Sequence, residues 1–68
     1  MDSNLLALFD SLIEKAEATV DDLKSARDLA VSRPEQEVGY AKEGLWFVYW
    51  LWTSDAYKNL EAYVKEAL

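Results

Sequence analysis

The sequence predicts an all-α protein, an antiparallel helical hairpin that pairs with a second copy into a four-helix arrangement. Apolar residues recur at alternating steps of three and four over almost four heptads, as in a helix that packs along one face. A short segment around Pro34 interrupts this pattern, and a second helical pattern follows it. We predict one helical domain, residues 1–68, with helices over about residues 4–31 and 34–68.

The first helix is predicted by its apolar stripe and by a start signal. Asp2 or Ser3 is suited to be its N-cap, because a short oxygen-bearing side chain there can accept a hydrogen bond from the first turn. The acidic residues of this segment fall on the side opposite the stripe, where solvent is expected. The stripe consists of Leu5, Phe9, Leu12, Ala16, Thr19, Leu23, Ala26 and Ala30.

The turn between the helices is predicted at residues 32–35. Ser32 and Glu35 have the spacing of a capping box, and Pro34 suits a first helical turn because its missing N–H has no intrahelical role there. The loop is then only two or three residues long. Two helices joined by such a short loop are antiparallel neighbours.

The second helix carries apolar residues around most of its circumference. Its spacing slips at Thr53–Asp55, where each residue is a good N-cap, so the helix either runs through or breaks and restarts within 53–55. The aromatic segment Gly44–Trp52 also suits a strand, but such a strand would need an intermolecular partner. The face predicted to form the core comprises Val38, Leu45, Tyr49, Trp52, Ala56 and Tyr63.

A homodimer is predicted because a chain of 68 residues buries only about 60% of its unfolded surface and needs additional stabilisation. Disulfides, a metal or oligomerisation usually provide it. The sequence contains no Cys and no His, which removes disulfides and the commonest zinc ligands. Self-association remains, with no cofactor and no metal.

Enzymatic activity is not expected from this sequence. The familiar nucleophile–base pairs require His or Cys, and the chain has neither. Gly39 and Gly44 are not followed by the Gly-Lys-Ser/Thr of a phosphate-binding loop. The carboxylates of the first helix are expected to lie along a solvated face, which differs from the convergent arrangement of a catalytic or metal site.

The charge and hydropathy exclude two classes of partner. The net charge is −6, with thirteen acidic and seven basic residues, so the basic stripe that direct nucleic-acid binding needs is absent. The longest apolar run, Leu45–Trp52, is far shorter than the ~20 residues of a membrane span, and the acidic N-terminal residues do not form a signal peptide. We therefore expect a cytoplasmic protein that does not bind membranes.

The aromatic residues supply the candidate binding surface. Three Trp, four Tyr and two Phe make up 13% of the chain, and on a helical wheel they cover more sides of the second helix than one dimer seam can bury. Two interpretations remain open: all of them are dimer core, or part of the ring stays exposed and binds a partner. The candidate contact residues are Tyr40, Trp46, Phe47 and Trp50.

Arg27 is the further candidate contact, because it lies within the apolar arc of the first helix. Its guanidinium either extends past the seam to an acid on the neighbouring helix or anchors a partner at the interface. The sequence leaves both interpretations open.

In its length, its helical hairpin and Arg27, Tyr40 and Trp46, the chain resembles the phage-encoded quorum-sensing anti-activator family of Pseudomonas phages. The resemblance implies a homodimer that acts in the host cytoplasm. It also implies binding to a LuxR-type transcription activator, which prevents DNA binding, with the type IV pilus assembly ATPase as a second target.

The predicted function is inhibition of a host regulator through protein–protein contact. Two other classes stay open. An acidic nucleic-acid mimic would place the carboxylates of the first helix in a basic groove, and its binding would weaken sharply with salt. A purely structural assembly subunit would bind no further partner.

Overall fold

The structure is a computed structural model that describes residues 2–68. Over these residues it contains three α-helices and no strand. A single-turn 3-10 helix separates the first two α-helices, so the all-α prediction is confirmed and the strand alternative for Gly44–Trp52 is wrong. The elements are α1 (Ser3–Ser32), the 3-10 turn (Pro34–Gln36), α2 (Glu37–Trp52) and α3 (Asp55–Ala67).

Helix α1 begins and ends within one residue of its predicted bounds. Asp2 is the N-cap, and its Oδ1 accepts a hydrogen bond from the Asn4 N–H at 3.0 Å. The apolar stripe is half-buried or buried as predicted, with the exception of Phe9. Phe9 is exposed, and Leu8 lies on the inner side in its place. Both neighbours are apolar and lie close to the stripe, so the heptad pattern could not decide which of them faces inward.

The centre of α1 contains the two most buried residues of residues 2–68. Thr19 is 5% exposed and Ala26 is 6% exposed. The Thr19 hydroxyl donates a hydrogen bond to the Lys15 carbonyl at 3.0 Å, which satisfies this polar group inside the apolar stripe. These are small residues, so α1 can approach the helices packed against it closely.

The turn after α1 is shorter than predicted. Ser32 is still helical, and its hydroxyl donates to the Leu29 carbonyl at 3.2 Å. The predicted capping box is therefore wrong: Ser32 bonds back into α1 and does not cap the next helix. Arg33 alone separates α1 from the 3-10 turn, which Pro34 begins, as expected for a residue without an N–H.

Of the two alternatives left open for the second helix, the structure has the break, and it lies at Thr53–Ser54. Ser54 has an extended backbone and caps α3, accepting a hydrogen bond from the Tyr57 N–H at 3.3 Å. The same hydroxyl donates to the Leu51 carbonyl at 2.6 Å, so one side chain satisfies groups of both helices. Ser54 thus ends α2 and starts α3 with a single oxygen atom.

Both α2 and α3 pack against α1. The molecule is 48 Å long, close to the ~45 Å of a 30-residue helix, so α2 and α3 follow one another along α1. We call the residues on the facing sides of these helices the intrachain seam. In α2 and α3 it consists of Tyr40, Gly44, Phe47, Leu51, Tyr57, Leu60 and Tyr63, all half-buried.

The predicted core face of α2 is wrong within the chain. Leu45 is 73% exposed and Trp52 is 67% exposed, whereas Gly44 lies against α1. A Cβ atom at Gly44 would lie 3.4 Å from the Leu23 Cδ2 atom, so the missing side chain lets the two helices approach. The hydrophobic pattern did not assign Gly44 to either face of α2, although its small size determines which side of α2 packs against α1.

The hydropathy of the helices is below that of a membrane span throughout residues 2–68. None of these helices combines the length and the apolar character needed to cross a bilayer.

Candidate protein-binding surface

An exposed aromatic cluster lies on α2. Trp46, Tyr49 and Trp50 are 55%, 54% and 55% exposed. The Trp46 ring contacts Tyr49 edge-on, with centroids 5.5 Å apart, and is tilted against Trp50 at 6.2 Å. The steps of three and four residues bring these rings together on one side of the helix. We call these three residues the tryptophan patch.

Tyr40 and Phe47 belong to a different environment from Trp46 and Trp50. Both are half-buried and lie on the side of α2 that contacts α1. The predicted core face of α2 contained Leu45 and neither of these two residues, and it is wrong on this point as well. The Tyr40 hydroxyl donates to the Gln36 Oε1 at 3.3 Å, and the Phe47 ring meets Trp50 edge-on at 6.5 Å. Phe47 therefore lies in the seam and contacts one ring of the patch, that of Trp50.

Arg27 is exposed on α1, whereas the tryptophan patch lies on α2. Its Nε donates to Asp28 Oδ1 at 3.0 Å, so the acid it contacts lies on its own helix and not on a neighbouring one. Both side chains are largely solvated, and such an ion pair contributes little to stability. Arg27 directly follows the buried Ala26 on α1, which leaves the guanidinium accessible to a partner.

A shallow open groove borders the tryptophan patch. It is lined by Glu43, Trp46, Phe47 and Trp50, so a carboxylate stands at the edge of an aromatic surface. The ion pairs within residues 2–68 join Arg27 to Asp28 and Lys65 to Glu61, and Glu43 takes part in neither. A carboxylate beside aromatic faces is suited to a cationic side chain, which both groups attract.

The acidic side of α1 is solvated as predicted. Asp10, Glu14, Glu17 and Asp21 are all exposed, and none forms an ion pair within the described residues. In that part of the chain no three acidic side chains converge on a metal-sized site. These carboxylates contribute a dispersed negative field along the helix.

Sequence reasoning missed Tyr49 as a surface residue, because it assigned Tyr49 to the core face. The signal was present in the step of three residues from Trp46, which places the two rings in contact on a helix. Of the five candidate residues, the structure joins Trp46 and Trp50 in one exposed cluster. It places Tyr40 and Phe47 in or beside the seam, and Arg27 on the other helix.

No family model, no curated protein and no solved structure matches this chain.

Proposed function

We propose that the chain is an antiparallel helical hairpin that works as a homodimer and inhibits another protein by binding it through the tryptophan patch. The observation that carries this proposal is the exposure of Trp46, Tyr49 and Trp50 as one contiguous cluster. All three lie outside the intrachain seam, so the fold of the single chain does not require them to be large and aromatic.

The chemistry of these side chains favours a protein partner. Tryptophan and tyrosine dominate the energetic hot spots of protein interfaces, because each covers a large area with few rotatable bonds. Three such residues in contact form a preordered anchor for a partner. Single exposed apolar residues scattered over a surface are common and do not indicate a binding site. Glu43 at the edge of the patch provides a charged group that can orient the partner.

Charge favours a basic partner surface. The chain has a net charge of −6, and Glu43 borders the aromatic groove, so arginine or lysine side chains of a partner would meet both a carboxylate and ring faces. A DNA-binding surface is basic because it contacts phosphates. Occupying it would prevent DNA binding. Together with the resemblance to the phage anti-activators, this charge complementarity makes a LuxR-type transcription activator in the host cytoplasm the proposed target, and the resemblance adds the type IV pilus assembly ATPase as a second one.

The test is a titration of a purified LuxR-type activator with the wild-type chain and with Trp46→Ala and Trp50→Ala variants. Each substitution should weaken binding by about thirtyfold or more, since truncating a hot-spot anchor costs about 2 kcal/mol. Far-UV circular dichroism should change little for either variant. Val64→Ala, which shortens an exposed apolar side chain on α3, is the control and should bind as wild type does.

Unchanged binding of both tryptophan variants would place the partner contact elsewhere on the molecule. A large loss of helicity in both would instead assign the patch to the core. An absence of binding by the wild-type chain would remove LuxR-type activators as targets and favour the ATPase or a purely structural assembly subunit.

A second candidate function is supported by the exposed acidic side of α1. Its unpaired carboxylates would allow the chain to occupy a basic nucleic-acid groove as a mimic of phosphates. Binding of this kind weakens steeply with ionic strength, while an aromatic contact does not. Repeating the titration at low and high salt separates the two modes.

A further inference from the structure

The intrachain seam leaves two opposite flanks on the helix pair. In α1 and α2 alike, the residue that directly follows a seam residue lies about 100° further round its helix. Because the helices are antiparallel in the proposed hairpin, this rotation leads to the same side of the pair in both. The residues that follow the seam therefore share one face, and those that precede it share the other.

The face formed by the residues that follow the seam in α1 and α2 is largely apolar, and its charged members are Glu17, Lys24 and Arg27. Each of its members is exposed in the single chain, and Leu45 and Trp52 are among the most exposed large apolar residues. On the other face, α1 presents polar or small residues such as Ser11, Ala18 and Ser25. We define the apolar face by its six central residues: Phe9, Ile13, Val20, Leu45, Val48 and Trp52.

The surface area of the chain indicates that a face of this size needs a cover. A folded monomer of 7.8 kDa is expected to expose about 4,400 Å². The chain exposes 5342 Å², an excess of roughly 950 Å² over that expectation. If two chains each buried this excess, the interface would measure about 1,900 Å², which is ample for a stable and specific dimer.

The charge distribution indicates which molecule provides the cover. Two copies with a net charge of −6 each repel one another, and the repulsion is least where they meet through surfaces on which cations offset the carboxylates. In α1 and α2 the residues that follow the seam include one carboxylate, Glu17, and two cations, Lys24 and Arg27. Those that precede the seam include two carboxylates, Asp22 on α1 and Glu43 on α2, and one cation, Lys15. Arg27 follows the seam residue Ala26 and Lys24 follows Leu23, so both cations border the apolar face and can reach acidic side chains of the second copy.

We propose that the apolar face is the homodimer interface and that its occupant is a second copy of this chain. Trp46 precedes the seam residue Phe47, and Trp50 precedes Leu51, so both lie on the opposite flank and stay exposed in the dimer. The dimer then presents two tryptophan patches on its outer sides. This inference rests on the proposed function only for the homodimer, because partner binding is used in none of its tests.

The first experiment compares Val20→Glu with Ser25→Glu by sedimentation at micromolar concentration. Both substitutions add one carboxylate to an exposed position of α1, but only Val20 lies on the apolar face. We expect Ser25→Glu to sediment at twice the chain mass, as wild type does, and Val20→Glu to lose the dimer. A dimeric Val20→Glu variant, or a wild-type chain that is a folded monomer, would overturn the proposal.

The second experiment does not depend on whether Val20→Glu folds. Trp46→Phe with Trp50→Phe leaves Trp52 as the single tryptophan, and Trp50→Phe with Trp52→Phe leaves Trp46. In the dimer, acrylamide should quench Trp46 several-fold more strongly than Trp52, although Trp52 is the more exposed in the single chain. Equal quenching, or stronger quenching of Trp52, would show that the second copy covers a different face.

Discussion

Whether Ser54→Ala stabilises or destabilises the protein tests the break between α2 and α3. The Ser54 hydroxyl accepts from the Tyr57 N–H at 3.3 Å as the N-cap of α3. Replacing an N-cap serine by alanine costs about 1 kcal/mol, within a range of roughly 0.5–2. In the interior of a continuous helix the same substitution would stabilise by up to about 0.5 kcal/mol, because alanine has the higher helix propensity.

The second hydrogen bond of the Ser54 hydroxyl does not move the expected cost of Ser54→Ala away from the middle of the range of about 0.5–2 kcal/mol. The hydroxyl also donates to the Leu51 carbonyl at 2.6 Å, but that carbonyl accepts the Ser54 N–H at 3.3 Å as well. Its loss therefore leaves no orphaned acceptor. We expect Ser54→Ala to lower the unfolding free energy by about 1 kcal/mol, or the Tm by about 4–8 °C for a domain of this size.

The assay is thermal unfolding followed by far-UV circular dichroism at one fixed chain concentration, since the stability of a self-associating chain depends on concentration. Ser54→Asp keeps a capping oxygen and should unfold within a few tenths of a kcal/mol of wild type. Thr53→Ala is the neighbouring control. Its hydroxyl donates to the Tyr49 carbonyl, which also accepts the Thr53 N–H, so little should change. A higher Tm for Ser54→Ala would refute the break.

Four further variants test the packing. Gly39→Ala should raise the unfolding free energy in urea by about 1 kcal/mol, because helix propensity improves and no atom other than those of the adjoining helix backbone and chain neighbours lies within 4 Å of the added Cβ. Gly44→Leu should destabilise by about 1–3 kcal/mol, since its outer atoms would overlap Leu23, and Leu23→Asp should abolish helicity in circular dichroism. Phe47→Ala should lower the unfolding free energy by about 2–3 kcal/mol, less than the loss of a fully buried ring but more than Trp46→Ala. Equal losses for the two variants would contradict the assignment of Phe47 to the intrachain seam.

The sequence by itself determined the helices and their ends to a large extent. The heptad stripe of α1, the helix-starting character of Pro34 and the capping residues at Thr53–Asp55 are local signals, and the elements in the structure agree with them. Each depends on interactions within a few residues of the chain, namely backbone hydrogen bonds, caps and side-chain spacing. The capping box at Ser32 failed because the local signal was ambiguous: a serine at that position can bond forward or backward.

Only the tertiary structure decided which side of α2 faces α1. Leu45 and Phe47 are equally apolar candidates for the core, and a helix that is apolar nearly all round has no unique inner face on a wheel. The close approach of Gly44 to Leu23 decides between them, because a position without a side chain lets the helix axes come together and turns Phe47 inward. A glycine inside a helix is a sequence signal for close helix packing, but it does not identify the contacting residue, because Gly44 and Leu23 are far apart in the chain. The contact also separates the seam from the tryptophan patch.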